Sequence, residues 1–397
     1  MKIITVNDYF YPRLGYQDYF LARELQKAGH DVTVIAGDRH SHFQDYEETF
    51  RAILGERLTG AGERLEESIK TVRLPIWADL RGRLIMKHLV KTIDRLRPDF
   101  VHIHCYGRFH SLWLPKKLRR RDISFLLDDH MLYSAKRKGL LADLYYQAMK
   151  IVTKYYVTPY CLSFVGVAEE CSEFLRREYG IPADKIRTIP LGSDTDLYYF
   201  DAKARAELRH RWGISENDVV LSYVGKMTQD KGVDLLIEAA LPLLEDQPTL
   251  SLYLLGSGPS EFIGLMKGKI RSAGLEKKVI WHEAVPSVEL RAHFSFADIC
   301  VWPAQASTSM LDAAACERPV IGANDQVIRE RISGDHGLIF EPGNAADLRQ
   351  KIARLIRNRA LREAMGKNGR AWIEANCSWK RIAELFIAEY RRIIALR

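Results

Sequence analysis

The chain lacks any window of about 18 uninterrupted apolar residues, so no membrane-spanning helix is expected. No leader is expected either. Met1-Lys2-Ile3-Ile4-Thr5-Val6 runs straight into an apolar strand, without a long apolar core and a small-residue cleavage site. Cysteine is scarce. The six thiols, at 105, 161, 171, 300, 316 and 377, are scattered and form no Cys-x-x-Cys, which reads as reduced, buried small hydrophobes in a cytosolic protein. No repeat of about 20–50 residues and no low-complexity tract is visible. What remains is ordinary globular material, 47% hydrophobic and 28% charged. A length of 397 residues is too great for one core and suggests two domains.

The net charge of +8 is unevenly placed. Residues 1–190 hold 31 Lys and Arg against 24 Asp and Glu, whereas 191–397 hold 28 against 27. The excess concentrates in 81–154, with 17 basic and 6 acidic residues. That stretch includes Arg81, Arg83, Lys87, the run Lys116-Lys117-Leu118-Arg119-Arg120-Arg121, and Lys136-Arg137-Lys138. A basic block serves nucleic acid, an anionic membrane or a phosphorylated acceptor, or it is a solvated helix face. No recognisable motif for reading nucleic acid accompanies it, so nucleic acid is not expected as a partner. The neighbouring segment 140–156 is rich in apolar and aromatic residues, with Tyr145, Tyr146, Tyr155 and Tyr156 beside Lys150 and Lys154. It is expected to pack on a sheet, and it also suits a membrane surface.

Apolar strand-like runs at 3–6, 31–36, 100–104, 124–127 and 164–167 alternate with helical segments. The alternation restarts with runs at 219–224, 250–255, 279–281, 299–302, 319–321 and 338–340, and three helical segments follow from 344. Such alternation implies parallel sheets with helices on both faces. Segment 188–200, with Pro190, Gly192 and two aspartates, breaks the pattern and reads as a connection. The expected fold is α/β: two doubly wound, Rossmann-like domains, 1–190 and 191–377, and a last helix, 378–397. In such sheets ligands bind beyond the carboxyl ends of the strands. Gly15 and Lys226 both sit there, which points to a cleft between the domains.

The chemistry concentrates in 223–322. Val224-Gly225-Lys226 is followed by Lys231-Gly232 opening a helix, then by Leu255-Gly256-Ser257-Gly258-Pro259. Later, Ser307-Thr308-Ser309-Met310-Leu311-Asp312 runs into Ala313-Ala314-Ala315-Cys316. Two lysines beside a Gly turn hold a diphosphate. A helix starting at Ser307 turns free N–H groups toward the same anion. Asp312, one turn in, accepts from a ribose diol. Each piece has a plainer reading, as surface lysines or as a carboxylate stabilised by the helix dipole. Their order and spacing together favour a nucleoside-diphosphate site. His102 and His104 alternate along a strand and so share a face. Two histidines alone do not make a metal site, and packing is expected of them. Asp194-Thr195-Asp196 reads as a turn and cap.

These residues carry a resemblance. The chain resembles the GT-B glycosyltransferases, of the retaining family 4 type, over nearly its whole length. Gly15 with the following helix and Gly29-His30-Asp31-Val32-Thr33-Val34 resemble the family's opening unit. Val101-His102-Ile103-His104 and Asp129-His130 resemble its next strand ends, and Ile189-Pro190-Leu191-Gly192-Ser193-Asp194 its linker. Val224 to Asp234 resembles its phosphate grip, with Lys226 where Arg is usual. Leu311 to Ile321 resembles its nucleotide-site signature, and Ser378-Trp379 opens a helix that crosses back to the first domain in this fold. The family's Glu-x7-Glu is altered: the second position is Asp312 and the first is Ala304, with uncharged Gln305 beside it.

The resemblance implies a UDP- or GDP-sugar donor whose nucleotide sits on the second domain, with Lys226, Lys231, Ser309, Met310 and Asp312 there and Gly15 of the first domain as donor-binding residues, and with no cofactor and no required metal. It implies His130, Lys231 and Gln305 as the catalytic candidates. The acceptor would be a glycan or lipid-linked hydroxyl on the first domain, with Lys116, Lys117, Arg119 and Arg120 as an acceptor or anionic-membrane face. The expected setting is surface-glycan synthesis in the cytoplasm, peripheral at the inner face of a membrane. Two rival readings stay open: a sugar-nucleotide 2-epimerase of the same fold, and a non-catalytic subunit that binds a nucleotide sugar.

Overall fold

The structure is a computed structural model and describes residues 1–43, 46–80, 82–332 and 334–396. Arg81, part of the basic stretch, lies outside the described residues. The chain divides into two compact units: Met1–Leu191 together with Trp379–Arg397, and Gly192–Ser378.

The first unit is built on an eight-stranded sheet, with a separate two-stranded ribbon of Ile76–Asp79 and Leu84–Met86; the sheet's strands are β1 Lys2–Val6, β2 Asp31–Gly37, β3 Gly62–Glu66, β4 Ile69–Leu74, β5 Phe100–Ile103, β6 Ser124–Asp129, β7 Phe164–Gly166 and β8 Ile186–Thr188. Their order across the sheet is β8-β7-β6-β5-β1-β2-β4-β3. Neighbours pair in parallel except β3, which runs antiparallel to β4. Successive side chains of a strand point to opposite faces, so two cores form. Ile4, Val6 and Ile35 enter one; Ile3, Val32, Val34 and Ala36 enter the other. Helix α1 (Gln17–Lys27) follows β1, α2 (Phe109–Arg119) follows β5, and α3 (Leu140–Val152) follows β6.

The C-terminal helix Trp379–Ala395 belongs to this first unit, as the resemblance implied. Its buried Trp379, Ile382, Phe386, Tyr390 and Ile393 recur at the helical period and join the second core. Trp379 stacks on Phe20 of α1 with ring centroids 5.7 Å apart.

The second unit has six parallel strands: β9 Val219–Val224, β10 Leu250–Leu255, β11 Val279–His282, β12 Ile299–Trp302, β13 Val320–Ala323 and β14 Gly337–Phe340. Their order is β11-β10-β9-β12-β13-β14. The chain therefore reverses direction across the sheet between β9 and β12, and ligands of doubly wound sheets bind at that switch point. Helix α4 (Val233–Asp246) follows β9, and α5 (Ser309–Ala315) follows β12. No helix among the described residues is long and apolar enough to cross a membrane.

Candidate functional site

The loop after β9 is shaped by glycine. Gly225 turns the chain at φ 157°, and Tyr223 Oη donates to the Lys226 carbonyl at 2.6 Å. The Gly225 and Met227 amides donate to the Leu255 and Ser257 carbonyls at 3.0 and 2.8 Å, so the loops after β9 and β10 lie backbone on backbone. A Cβ on Gly256 would stand 1.8 Å from the Gly225 carbonyl oxygen, and one on Gly258 would stand 1.9 Å from that of Met227. The paired glycines of 256–258 thus hold the turn that presents Lys226, which is exposed.

Lys231 is half-buried, and its Nζ donates to Gln305 Oε1 at 2.7 Å. Burial lowers the pKa of its ammonium and the charge of Lys226 lowers it further, with Asp230 acting the other way. Two ammonium groups that repel one another are a standing place for an anion. Gly232 opens α4 in the left-handed region, at φ 71°, where a Cβ would meet the Cβ atoms of Ala304 and Pro303 at 3.1 Å. The loop after β12 therefore packs directly on the Lys231-Gly232 turn. Ala304 fills that contact, and Gln305 supplies the polar group beside it.

Helix α5 departs from expectation. It starts at Ser309, not Ser307, and its first amides are already engaged. Ser309 N–H donates to Ser307 Oγ at 3.4 Å, and Met310 N–H donates to the Ser307 carbonyl at 3.2 Å. Leu311 N–H donates to the Thr308 carbonyl at 2.9 Å. Ser307 competes locally for donors that were expected to face a phosphate. Met310 is buried and presents no polar side-chain atom, so its expected donor contact has no support in its placement. Ser309 Oγ lies 2.8 Å from Ser307 Oγ and 3.5 Å from the Val224 carbonyl, at the end of β9.

Asp312 Oδ1 accepts from Ser193 Oγ at 2.7 Å. Burial pushes the carboxyl up to about 7; the Ser193 bond lowers it and Asp194 raises it. Ser193 is itself pinned, donating its N–H to the Cys377 carbonyl at 2.7 Å. Asp194 Oδ1 caps the next turn by accepting from the Asp196 and Leu197 amides.

In the first unit, Asp128 at the end of β6 gathers three histidines. Its Oδ2 accepts from His102 Nε2 at 3.0 Å and from His104 Nδ1 at 2.8 Å, and it lies 3.6 Å from His130 Nε2. Its Oδ1 accepts from the Cys105 N–H at 2.6 Å. His102 Nδ1 lies 2.8 Å from Tyr390 Oη, so the hydroxyl donates to the ring nitrogen that Asp128 leaves free. His102 is thus a packing residue, tying β5 to the C-terminal helix. Burial raises Asp128, but His104, His102 and His130 outweigh it and hold the carboxylate well below its usual range. Burial likewise opposes charge on His104 and on His130. Asp128 and Cys105 outweigh it at both rings and raise them.

Gly15 takes a left-handed φ of 65° and ends the short turn Pro12–Leu14 ahead of α1. Lys117 and Arg119 in the last turn of α2, and Arg120 capping it, are exposed; there they also favour the helix dipole. Lys116 is half-buried with its Nζ 6.0 Å from the Tyr160 ring centroid, so it belongs less to that face than the other three. The structure brings Lys226, Lys231, Gln305, Ser309 and Asp312 into the second unit with Ser193. His130, Gly15 and the basic helix belong to the first unit. Sequence reading missed Ser193, Asp128 and Cys105.

Residues 19–197 match the family described as Glycosyltransferase Family 4, and 204–372 match Glycosyl transferases group 1. The chain belongs to the family 4 glycosyltransferases. One relative is the GDP-mannose-dependent alpha-(1-6)-phosphatidylinositol monomannoside mannosyltransferase of Mycolicibacterium smegmatis, 27% identical over 51% of this chain and 56% of that one. The match thus spans little more than half the length of that relative. The alpha-D-kanosaminyltransferase of Streptomyces kanamyceticus is 23% identical over 81% of this chain and 87% of its own. Among solved structures, Anabaena Alr3699/HepE in complex with UDP superposes with a TM-score of 0.75 at 14% identity, covering 99% of this chain and all of that one. That likeness establishes the GT-B fold: α/β, with two Rossmann-like domains. The group 1 match contains Lys226, Lys231, Gln305 and Asp312.

Proposed function

We propose that this chain is a retaining transferase that moves a hexosyl or N-acetylhexosaminyl group from a UDP- or GDP-sugar to a hydroxyl of a glycan or lipid-linked acceptor. The observation that carries the reading is the Lys231–Gln305 bond with Lys226 on the same loop, at the switch point of the second sheet. Lys226 and Lys231 grip the diphosphate, whose charge grows as the glycosidic bond breaks, so they assist departure more than ground-state binding. Two ammonium groups supply the charge that a divalent cation would otherwise bring, and no cofactor or metal is assigned to the diphosphate. Asp312, held by Ser193, accepts from the ribose. Gln305 hydrogen-bonds a sugar hydroxyl when Lys231 turns to phosphate.

The named mannosyltransferase relatives make GDP-mannose the first donor to test. A lipid-linked acceptor fits α3 and the turn after it. Leu140, Leu141, Leu144, Ile151, Tyr155 and Tyr156 there are exposed, and the basic helix α2 packs on the turn Thr153–Val157. Apolar side chains beside Lys117, Arg119 and Arg120 suit the inner, anionic face of a membrane. The deciding experiment measures release of GDP and UDP from their sugars with and without a lipid-phosphate acceptor. Acceptor-dependent release supports transfer. Release of neither nucleotide with any acceptor, alongside intact nucleotide binding, would exclude transfer, and the appearance or absence of an isomerised nucleotide sugar would then separate the epimerase from the non-catalytic reading.

A further inference from the structure

Four side chains at the ends of β5 and β6 form a set of metal ligands. One ring nitrogen each of His104 and His130, the Cys105 sulfur and an Asp128 carboxylate oxygen all lie within 4.8 Å of one another. They come from two adjacent parallel strands, paired from Phe100–Ser124 to Ile103–Leu127, so the sheet itself sets their spacing. A tetrahedral ion with bonds of roughly 2.0–2.3 Å places its ligands about 3.3–3.8 Å apart, so side-chain shifts of about 1 Å close the cage.

Two further observations point to a ligand. His130 Nε2 is buried and has no hydrogen-bond partner among the described residues, although Asp128 Oδ2 is only 3.6 Å away. An orphaned buried nitrogen is costly unless something fills its place. Cys105, a non-glycine residue, is held at φ 63°, and its amide is fixed on Asp128 at 2.6 Å. Strain of that kind persists where the surrounding structure imposes it.

We propose that His104, Cys105, Asp128 and His130 bind a thiophilic divalent cation, zinc before all others. Two imidazoles, a thiolate and a carboxylate are a borderline-soft, four-ligand set, which suits zinc and disfavours magnesium or calcium. Four protein ligands leave no open position, so the ion is structural and activates no water. Its binding displaces the Cys105 thiol proton and the extra proton of any His104 or His130 imidazolium. His102, already bonded to Asp128 and Tyr390, orients the carboxylate without being a ligand. The proposal rests on the first unit alone, and it takes His130 as a ligand in place of the catalytic role that the resemblance implied.

Cobalt(II) titration of the tag-free, metal-stripped full chain tests it. The expected result is one equivalent bound with a cobalt–thiolate charge-transfer band, and displacement of that band by one equivalent of zinc. Cys105→Ser should abolish the band and weaken zinc binding on the order of 100-fold in competition with a chromophoric chelator. Cys161→Ser, at a buried thiol elsewhere in the same unit, should leave both unchanged. If Cys105→Ser does not fold, His130→Gln, which removes the orphaned nitrogen, should weaken zinc binding by a similar factor. Wild type that binds no stoichiometric cobalt or zinc overturns the proposal. So does an unaltered band and affinity in the variants.

Discussion

Asp312 can be tested through both stability and binding. Burial keeps its carboxyl protonated up to about pH 7, against an ordinary value of 3.8. The folded value lies above the unfolded one. The stability it contributes is therefore complete below about pH 4, is lost as the pH climbs to about 7, and stays lost above that, where both states are ionised. A gap of about 3 units at about 1.4 kcal/mol each makes the loss on the order of 4 kcal/mol. Asp312→Asn keeps an acceptor for Ser193 Oγ and removes the titration. Between pH 4 and 7 the wild type should lose that much relative to the variant, roughly 10 °C in the melting of the second unit. Scanning calorimetry of both full-length proteins across the range measures it. Binding runs the opposite way. Ribose hydroxyls donate to the ionised carboxylate, so affinity for GDP or UDP should rise with pH through about 7. Above that, Asp312→Asn should bind more weakly by about 1–2 kcal/mol. Titration of the phosphates is common to both proteins and cancels in the comparison. Parallel stability curves would refute the buried carboxyl. Equal affinities at alkaline pH would reduce Asp312 to a charge on the helix dipole.

Lys231→Ala should weaken nucleoside-diphosphate binding by about 1.5–3 kcal/mol with the melting temperature preserved; calorimetric titration showing no change would remove it from the diphosphate grip. Gly232→Ala adds a Cβ at φ 71° against Ala304 and Pro303, and should destabilise the chain by about 1–2 kcal/mol in urea unfolding. A variant as stable as wild type would mean that the turn relaxes freely. Reversing Lys117, Arg119 and Arg120 to Glu should abolish co-sedimentation with anionic vesicles and leave GDP affinity intact. Wild-type sedimentation should fade as salt shortens a Debye length of about 8–10 Å, and a wild type that never sediments would mark the block as a solvated surface.

The strands buried on both faces were legible because they are short continuous apolar runs. Val219–Val224 is buried throughout, and no other local structure accommodates such a run so readily. The strands that were missed have different surroundings. Gly62–Glu66 is an exposed edge strand with glutamates at both ends of its charged run, and Ile186–Thr188 is three residues long. Neither has enough buried surface to impress a pattern on the sequence, and Ile69–Leu74, also missed although mostly buried, interrupts its apolar residues with Lys70, Thr71 and Arg73. Pairing forms them: Gly62–Glu66 as a hairpin with Ile69–Leu74, and Ile186–Thr188 beside Phe164–Gly166.

The site divides along the same line. Lys226, Lys231 and Asp312 stand in local motifs, and a motif is visible because turn geometry and spacing travel together. Ser193 meets Asp312 across 119 positions, and only the folded second unit makes that bond. The histidines show the point most clearly. His102 and His104 invited attention as a pair because they alternate on one strand, yet the sheet separates their roles. His102 is consumed between Asp128 and Tyr390, whereas His104 joins Cys105 from its own strand end and His130 from the next. The signal was there in another form: His104-Cys105 and Asp128-x-His130 each close an apolar strand. Two such endings on adjacent parallel strands must converge, so polar residues at successive strand ends are better read together than as pairs along one strand.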